Sequence, residues 1–99
     1  MSSPSDKSAP DIVKGHQALA GAAAKTGLLE PKVYDLIALA VAVTARCDGC
    51  IVVHTAAALQ AGATKEEIIE ALGTAVAVNA GAALVYSTRV LDAHSAKTS

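Results

Sequence analysis

The sequence predicts an all-α fold, a compact helical domain of about five helices. Apolar residues recur at helical spacing through most of the 99 residues, and no segment is typical of a strand with turn residues at both ends. The chain contains 23 alanines but only two aromatic residues, Tyr34 and Tyr86. Because small side chains fill little volume, stability must come from close helix–helix contact over a wide area. This composition favours burial of further surface by association.

The first helices follow from helix-start and helix-end signals. Residues 1–9 carry Ser, Pro and charge and are predicted to form a disordered tail before a single domain over residues 10–94. A first helix is predicted over residues 11–25, ended by Gly27. Pro31 fits the first turn of a second helix, because the N–H that it lacks is unpaired there in any case.

The second helix is apolar on every side over residues 36–45, a pattern typical of a buried, central helix. A third helix is predicted from Gly49 or Cys50 to Ala61. Gly62 follows it and is placed as its C-terminal cap.

A fourth helix starts at the capping box formed by Thr64 and Glu67. Residues 79–81, Asn-Ala-Gly, are expected to break or kink the chain. A fifth helix then carries the apolar residues between 84 and 91, and residues 94–99 are expected to fray.

Composition excludes several classes of function. The net charge is −1 and the Lys and Arg residues form no basic patch, which argues against nucleic-acid binding and against a basic membrane-surface segment. The longest uncharged run, residues 71–88, is interrupted by polar residues and glycines, so we expect helices buried at a subunit contact rather than a membrane span. The N-terminus has no secretory signal, which predicts a cytoplasmic protein with reduced thiols.

The residues able to carry chemistry lie in one segment, where Cys47 and Cys50 are followed by His54. Two cysteines three positions apart around a helix start can close a disulfide with little backbone movement, as a reversible dithiol requires. The unpaired N–H groups and partial positive charge of a helix N-terminus favour the thiolate, which is the nucleophile. Cys50 is expected in that first turn.

His54 lies four residues after Cys50 and therefore on the same helix face. Its imidazole can take the thiol proton, directly or through a water. We therefore predict Cys50 as the attacking thiolate and Cys47 as the resolving thiol, although the helix dipole alone also permits Cys47. Two alternatives are a zinc site, which needs a fourth ligand, and a pair of inert buried thiols.

Asp35 is the other notable residue, because it begins the apolar helix without a charged neighbour. A carboxylate in such surroundings costs energy unless it is paired or hydrogen-bonded. A structural role at the helix dipole and a functional role are both compatible with this position.

The segment from Asp35 through the CxxCxxxH pattern of Cys47, Cys50 and His54 resembles the core of alkyl hydroperoxidase D-like proteins of the carboxymuconolactone decarboxylase superfamily. The similarity continues through residues 61–68 and covers roughly residues 31–93. It implies an all-α fold and a homo-oligomer, a trimer or a hexamer.

The resemblance also implies thiol-dependent reduction of peroxides through a Cys47–Cys50 disulfide. The second cysteine of the family motif, its peroxidatic cysteine, maps to Cys50, and the family histidine maps to His54. A family glutamate that relays protons maps to Asp35. Since Asp35 precedes Cys47 by about 18 Å of straight helix, the helices must cross or the loop must bend for Asp35 to approach His54.

The leading hypothesis is therefore an alkyl hydroperoxidase-like oxidoreductase that acts on a peroxide, is reduced by an external dithiol donor, and requires no organic or metal cofactor. One alternative is a lyase acting on a lactone acid, and activity that survives removal of both cysteines would favour it. The other is a non-enzymatic scaffold or redox partner protein, which slow peroxide turnover with fast disulfide exchange would favour.

Overall fold

The computed structural model describes residues 9–98, and every regular element in that part of the chain is an α-helix, which confirms the all-α prediction. The elements are α1 (Pro10–Lys25), α2 (Pro31–Ala45), α3 (Asp48–Gln60), α4 (Lys65–Tyr86) and α5 (Thr88–Thr98). Only Ser87 separates α4 from α5, and its backbone is itself helical, with φ −59° and ψ −24°. The last two elements thus form one helical run, and the described residues contain four separate helices rather than about five.

By contacts within the chain, the fold divides into two units at Glu30 and Pro31. In the first unit, α1 ends at Lys25 and is followed by the C-cap Thr26 and by Gly27, which has the left-handed φ of 69° expected of a residue that follows a helix. No residue of α1 is buried. The predicted tail lies outside the described residues except for Ala9, and the single domain over residues 10–94 stays a prediction.

In the second unit, α2 is the central helix, because it packs against both α3 and α4. Leu39 of α2 contacts Ala58 and Ala63, and the half-buried Leu36 and Ile68 pack around them. Two of the three buried residues of this cluster are alanines, in keeping with the alanine-rich composition.

The expectation that α2 is buried on every side is wrong for a single chain. Only Asp35, Leu39 and Ala42 of α2 are buried, while Ile37 and Val41 are at least half exposed. The reason is that α3 and α4, the two helices that pack extensively against α2 within the described residues, cover only part of its surface.

A tight turn between α2 and α3 reverses the chain. Arg46 has a left-handed φ of 57°. The N–H of Arg46 donates to the carbonyl of Val43, and the N–H of Cys47 donates to the carbonyl of Ala42. These two bonds form a Schellman motif with Arg46 in the position that usually holds glycine. The turn places Cys47 directly before the first residue of α3.

The same motif ends α3 and confirms the predicted cap. Gly62 has a φ of 91°, its N–H donates to the carbonyl of Leu59, and the N–H of Ala63 donates to the carbonyl of Ala58. A side chain at Gly62 would be strained, because L-residues rarely adopt this φ.

The capping box that starts α4 is also confirmed. The N–H of Glu67 donates to Oγ1 of Thr64, and the N–H of Thr64 donates to Oε1 of Glu67. The second carboxylate oxygen of Glu67 accepts a bond of 2.9 Å from Nζ of Lys32, which ties the start of α4 to the start of α2.

Residues 79–81 are expected to break or kink the chain, and a break is wrong, because α4 runs through them without interruption. The alanines around Gly81 have the highest helix propensity, and a single glycine weakens such a helix by about 1 kcal/mol without ending it. Asn79 donates from Nδ2 to the carbonyl of Ala75 and to Oγ1 of Thr44 on α2, so its side chain joins two helices rather than ending one.

The expected fraying of residues 94–99 is not observed through Thr98, whose hydroxyl donates to the carbonyl of His94. The combined run Lys65–Thr98 is also long and apolar enough to cross a membrane when judged by length and composition alone, with a mean hydropathy of 1.8 over its most apolar 18 residues. Only 6% of that window is buried within the chain.

Candidate functional site

The candidate site begins at the N-terminus of α3, where Cys47 and Cys50 form a disulfide. Their Cα atoms are 5.2 Å apart, within one helical turn. The helix starts at Asp48, one or two residues earlier than predicted, so Cys47 is the N-cap and Cys50 the third helical residue. Both side chains are half-buried. The cysteine pair therefore lies at a helix N-terminus, as the sequence predicts.

The sulfur of Cys47 takes the place of the oxygen that normally caps a helix. The backbone N–H of Cys50 donates to Sγ of Cys47 over 3.2 Å. An N-cap side chain usually accepts this bond through the oxygen of Ser, Thr, Asp or Asn. One of the unpaired N–H groups of α3 is thus directed at a sulfur of the disulfide.

His54 lies one turn further along α3, on the same face as Cys50. Nδ1 of His54 is 3.1 Å from Oδ1 of Asp35, which α2 supplies from 19 residues earlier in the chain. Asp35 is only 8% exposed, and within residues 9–98 no buried side-chain nitrogen or oxygen lacks a hydrogen-bond partner. The buried carboxylate is therefore satisfied by the imidazole.

This contact decides how His54 presents its two nitrogens. An ionised carboxylate has no proton to give, so Nδ1 of His54 is the donor and Oδ1 of Asp35 the acceptor. In the neutral imidazole the other nitrogen, Nε2, then carries the lone pair. A histidine oriented in this way can accept a proton at Nε2, while Asp35 stabilises the imidazolium that results.

Tyr34 is a site neighbour that the sequence analysis did not identify. Its ring lies edge-on to the imidazole of His54, with ring centroids 6.4 Å apart and an angle of 61° between the planes. Tyr34 precedes Asp35 in α2, so two successive residues of that helix lie beside one imidazole. The sequence did contain one indication of this role, because Tyr34 is one of only two aromatic residues in the chain and lies directly before Asp35.

The four predicted site residues form two observed pairs, Cys47 with Cys50 and Asp35 with His54, joined by the helix face that Cys50 and His54 share. Their catalytic roles stay predictions. Within residues 9–98 no three His, Cys, Asp or Glu side chains gather as a metal ion would require.

Comparison with known proteins places this arrangement in a family. Residues 10–93 match the sequence profile of the carboxymuconolactone decarboxylase family. An uncharacterised protein of Haemophilus influenzae is 50% identical over 89 residues, which cover 90% of this chain and 79% of that protein.

Two further relatives are more distant. An uncharacterised protein of Cupriavidus necator is 34% identical over 83% of this chain and 73% of its own length. A protein described as uncharacterised protein 4 in the cox locus of Paracoccus denitrificans is 40% identical over 66% of this chain and 59% of its own length.

Proposed function

Since this chain belongs to the carboxymuconolactone decarboxylase family, we propose that it is a thiol-dependent peroxidase that reduces alkyl hydroperoxides through the Cys47–Cys50 dithiol. The observation that carries the proposal is the disulfide on the first turn of α3. It lies on the same helix face as His54, whose imidazole is oriented by the buried carboxylate of Asp35. A reversible dithiol needs a thiolate, a nearby base and a second thiol within reach, and these residues supply all three.

In the proposed reaction, His54 takes the proton of Cys50 and the thiolate attacks one peroxide oxygen. An S–O bond forms, the O–O bond breaks, and the alcohol leaves with a proton, so that Cys50 becomes a sulfenic acid. Sγ of Cys47 then attacks the sulfur of Cys50, forming the disulfide and releasing water. An external dithiol donor restores the two thiols, so one hydroperoxide and one dithiol give an alcohol, water and the donor disulfide.

The test is to mix the fully reduced protein with a small excess of cumene hydroperoxide and to count free thiols over time. We expect rapid loss of two thiols per chain, with an intramolecular disulfide as the product. Cys50→Ser is expected to be inert, while Cys47→Ser should stop at a sulfenic acid that dimedone traps. Thiols that persist for hours in the wild-type chain would contradict the proposal.

The lyase alternative has a different signature, since decarboxylation of a lactone acid needs no thiol. Turnover of such a substrate by a chain in which both Cys47 and Cys50 are Ser would favour it.

We also propose that copies of this chain associate through the exposed apolar faces of α2 and α4. Within the described residues only five apolar side chains are buried, one leucine and four alanines, and this is a small core for a stable domain. A groove of about 380 Å³ runs between the two helices, lined by Ile37, Val41 and Val78 and bordered by Thr44 and Asn79.

A second copy is the occupant that the surface favours, because the exposed apolar side chains continue from this groove along α4 and α5. The residues concerned are Val76, Val78, Leu84, Val85, Val90 and Leu91. Sedimentation in detergent-free buffer tests the proposal. A discrete oligomer supports it, whereas a soluble monomer, or a protein that needs detergent to stay in solution, would contradict it.

A further inference from the structure

We propose that the thiol that reduces the oxidised protein attacks Sγ of Cys50, and that Cys47 is the sulfur that leaves. The inference depends on the proposed function only in assuming that an external dithiol reduces the protein. It assigns Cys50 as the sulfur that meets both external reactants, the hydroperoxide and then the donor, while Cys47 exchanges bonds only with Cys50.

The asymmetry that carries this inference is the hydrogen bond at the start of α3. The backbone N–H of Cys50 donates to Sγ of Cys47 over 3.2 Å, whereas within residues 9–98 no hydrogen bond ends on Sγ of Cys50. An N–H directed at sulfur stabilises the thiolate more than the thiol, and the partial positive charge of the helix N-terminus acts in the same direction.

In thiol–disulfide exchange, the sulfur with the more stable thiolate is the faster leaving group. Attack at Cys50 releases Cys47 as a thiolate that already holds the N–H bond. Attack at Cys47 would instead release Cys50, which accepts no backbone N–H bond within residues 9–98 and depends on His54 for its activation. That route would also place the incoming sulfur against the Cys47 sulfur that caps α3. The first route therefore has the lower barrier.

His54, the base of the site, also lies on the same helix face as Cys50, the residue whose sulfur is attacked by this route. His54 shares a helix face with Cys50, and Asp35 holds its Nδ1 as a donor, so that Nε2 is free to accept a proton. His54 can thus deprotonate a thiol that approaches Cys50, as it deprotonates Cys50 itself before the peroxide step. Different groups therefore favour the thiolate of each cysteine: the imidazole of His54 acts on Cys50, and the backbone N–H of Cys50 acts on Cys47.

The exchange balances in two steps. In the first step, one thiol of the donor loses its proton to His54 and forms a bond with Sγ of Cys50. The Cys47–Cys50 bond breaks, and Cys47 leaves as a thiolate. In the second step, the remaining thiol of the donor attacks the donor sulfur that is bound to Cys50, which closes the donor disulfide and releases Cys50. The two donor protons end on Cys47 and Cys50, so the dithiol loses two electrons and the protein gains two.

The test uses the oxidised chain and 2-mercaptoethanol at low concentration, because this monothiol has no second thiol of its own with which to resolve the mixed disulfide. Samples are quenched in acid at successive short times, free thiols are blocked with N-ethylmaleimide, and fragmentation mass spectrometry locates each adduct. At the earliest times we expect mercaptoethanol on Cys50 and N-ethylmaleimide on Cys47, in at least tenfold excess over the reverse. Mercaptoethanol predominantly on Cys47 would overturn the inference.

A second measurement compares the two thiols without any exchange step. The rate of alkylation by iodoacetamide is followed against pH for Cys47 in Cys50→Ser, where the backbone N–H remains, and for Cys50 in Cys47→Ser, each combined with His54→Gln so that the base does not contribute. The midpoint for Cys47 is expected at the lower pH, and the reverse order would contradict the inference. Neither experiment contains peroxide, so a chain inert to cumene hydroperoxide that still carries the adduct on Cys50 would refute only the proposed function.

Discussion

Nδ1 of His54 on α3 lies 3.1 Å from Oδ1 of Asp35 on α2, and this contact joins the two helices at the candidate site. The bond fixes the imidazole with Nε2 as the acceptor. It also satisfies a carboxylate that α2 would otherwise bury among apolar residues. One hydrogen bond thus serves both the stability of the helix pair and the proposed chemistry.

Asp35→Asn is expected to slow the peroxide-dependent loss of thiols by roughly a hundredfold, a magnitude typical of general acid–base catalysis. The amide keeps the size of the side chain but carries no charge to stabilise the imidazolium. Stopped-flow measurement of thiol oxidation checks the rate. Asp35→Glu is the control, because it retains the carboxylate and should retain most of the activity. Equal rates for wild type and Asp35→Asn would show that the carboxylate is purely structural.

His54→Gln is expected to lower the rate of Cys50 oxidation near neutral pH by roughly a hundredfold, because the proton acceptor is lost. The deficit should shrink as the pH rises, since hydroxide then deprotonates the thiol without the imidazole. His16→Gln, on the separate unit of α1, is the matched control and should leave the pH–rate profile unchanged. If His54→Gln lowered the oxidation rate by the same factor at every pH, the role of the histidine would be structural only.

Gly62→Ala is expected to lower the free energy of unfolding by about 1 kcal/mol, because the alanine must adopt a left-handed φ. Gly81→Ala is the matched control within α4, where an added Cβ meets no atom within 4 Å. That change should stabilise the helix by up to about 1 kcal/mol. Denaturant titration at constant protein concentration measures both. Destabilisation by Gly81→Ala would indicate that residues 79–81 contact another chain.

Acid is expected to weaken the junction of α2 and α4 through Glu67. The backbone N–H of Thr64 and then the ammonium of Lys32 hold the pKa of Glu67 below its ordinary value of 4.5. A carboxyl whose pKa is lowered by folding stabilises the fold above the unfolded pKa. That contribution is lost as the pH falls through the lower, folded pKa.

The measurement is thermal unfolding between about pH 5 and pH 2.5. Glu67→Gln should show a shallower loss of stability than the wild type across this window. Glu66→Gln, a neighbour on the exposed face of the same turn, should follow the wild-type curve. Identical curves for all three chains would show that the Lys32–Glu67 pair contributes nothing measurable.

Val78→Asp is expected to dissociate the proposed oligomer, because it introduces a charge into the apolar groove between α2 and α4. Sedimentation velocity reads the outcome directly. Ser95→Asp adds the same charge at an already polar, exposed position of α5 and should leave the association state unchanged. An unchanged oligomer in Val78→Asp would place the contact elsewhere on the chain.

The sequence was most informative where the signal is local. The glycine cap at Gly62, the capping box of Thr64 and Glu67, and the close pairing of Cys47 and Cys50 each depend on a few neighbouring residues. The structure confirms all three. Such features follow from backbone geometry over a single turn.

What the sequence did not determine depends on contacts between helices. The approach of Asp35 to His54 requires the turn at Arg46, a non-glycine residue with positive φ that no residue preference predicts. The position of Tyr34 beside His54 was not predicted either, because it also depends on how α2 and α3 pack. Asn79 suggested a helix end because its amide competes locally for backbone bonds, yet that amide reaches Thr44 on α2.

The helical run of α4 and α5 differs in length from its neighbours. Its 34 residues span about 51 Å, whereas the 15 residues of α2 span about 23 Å. Much of the run therefore overhangs the helix that supports it, and from Val76 to Thr98 no residue is buried. If other copies cover this overhang, folding and assembly are a single event. The melting temperature should then rise with chain concentration, by mass action.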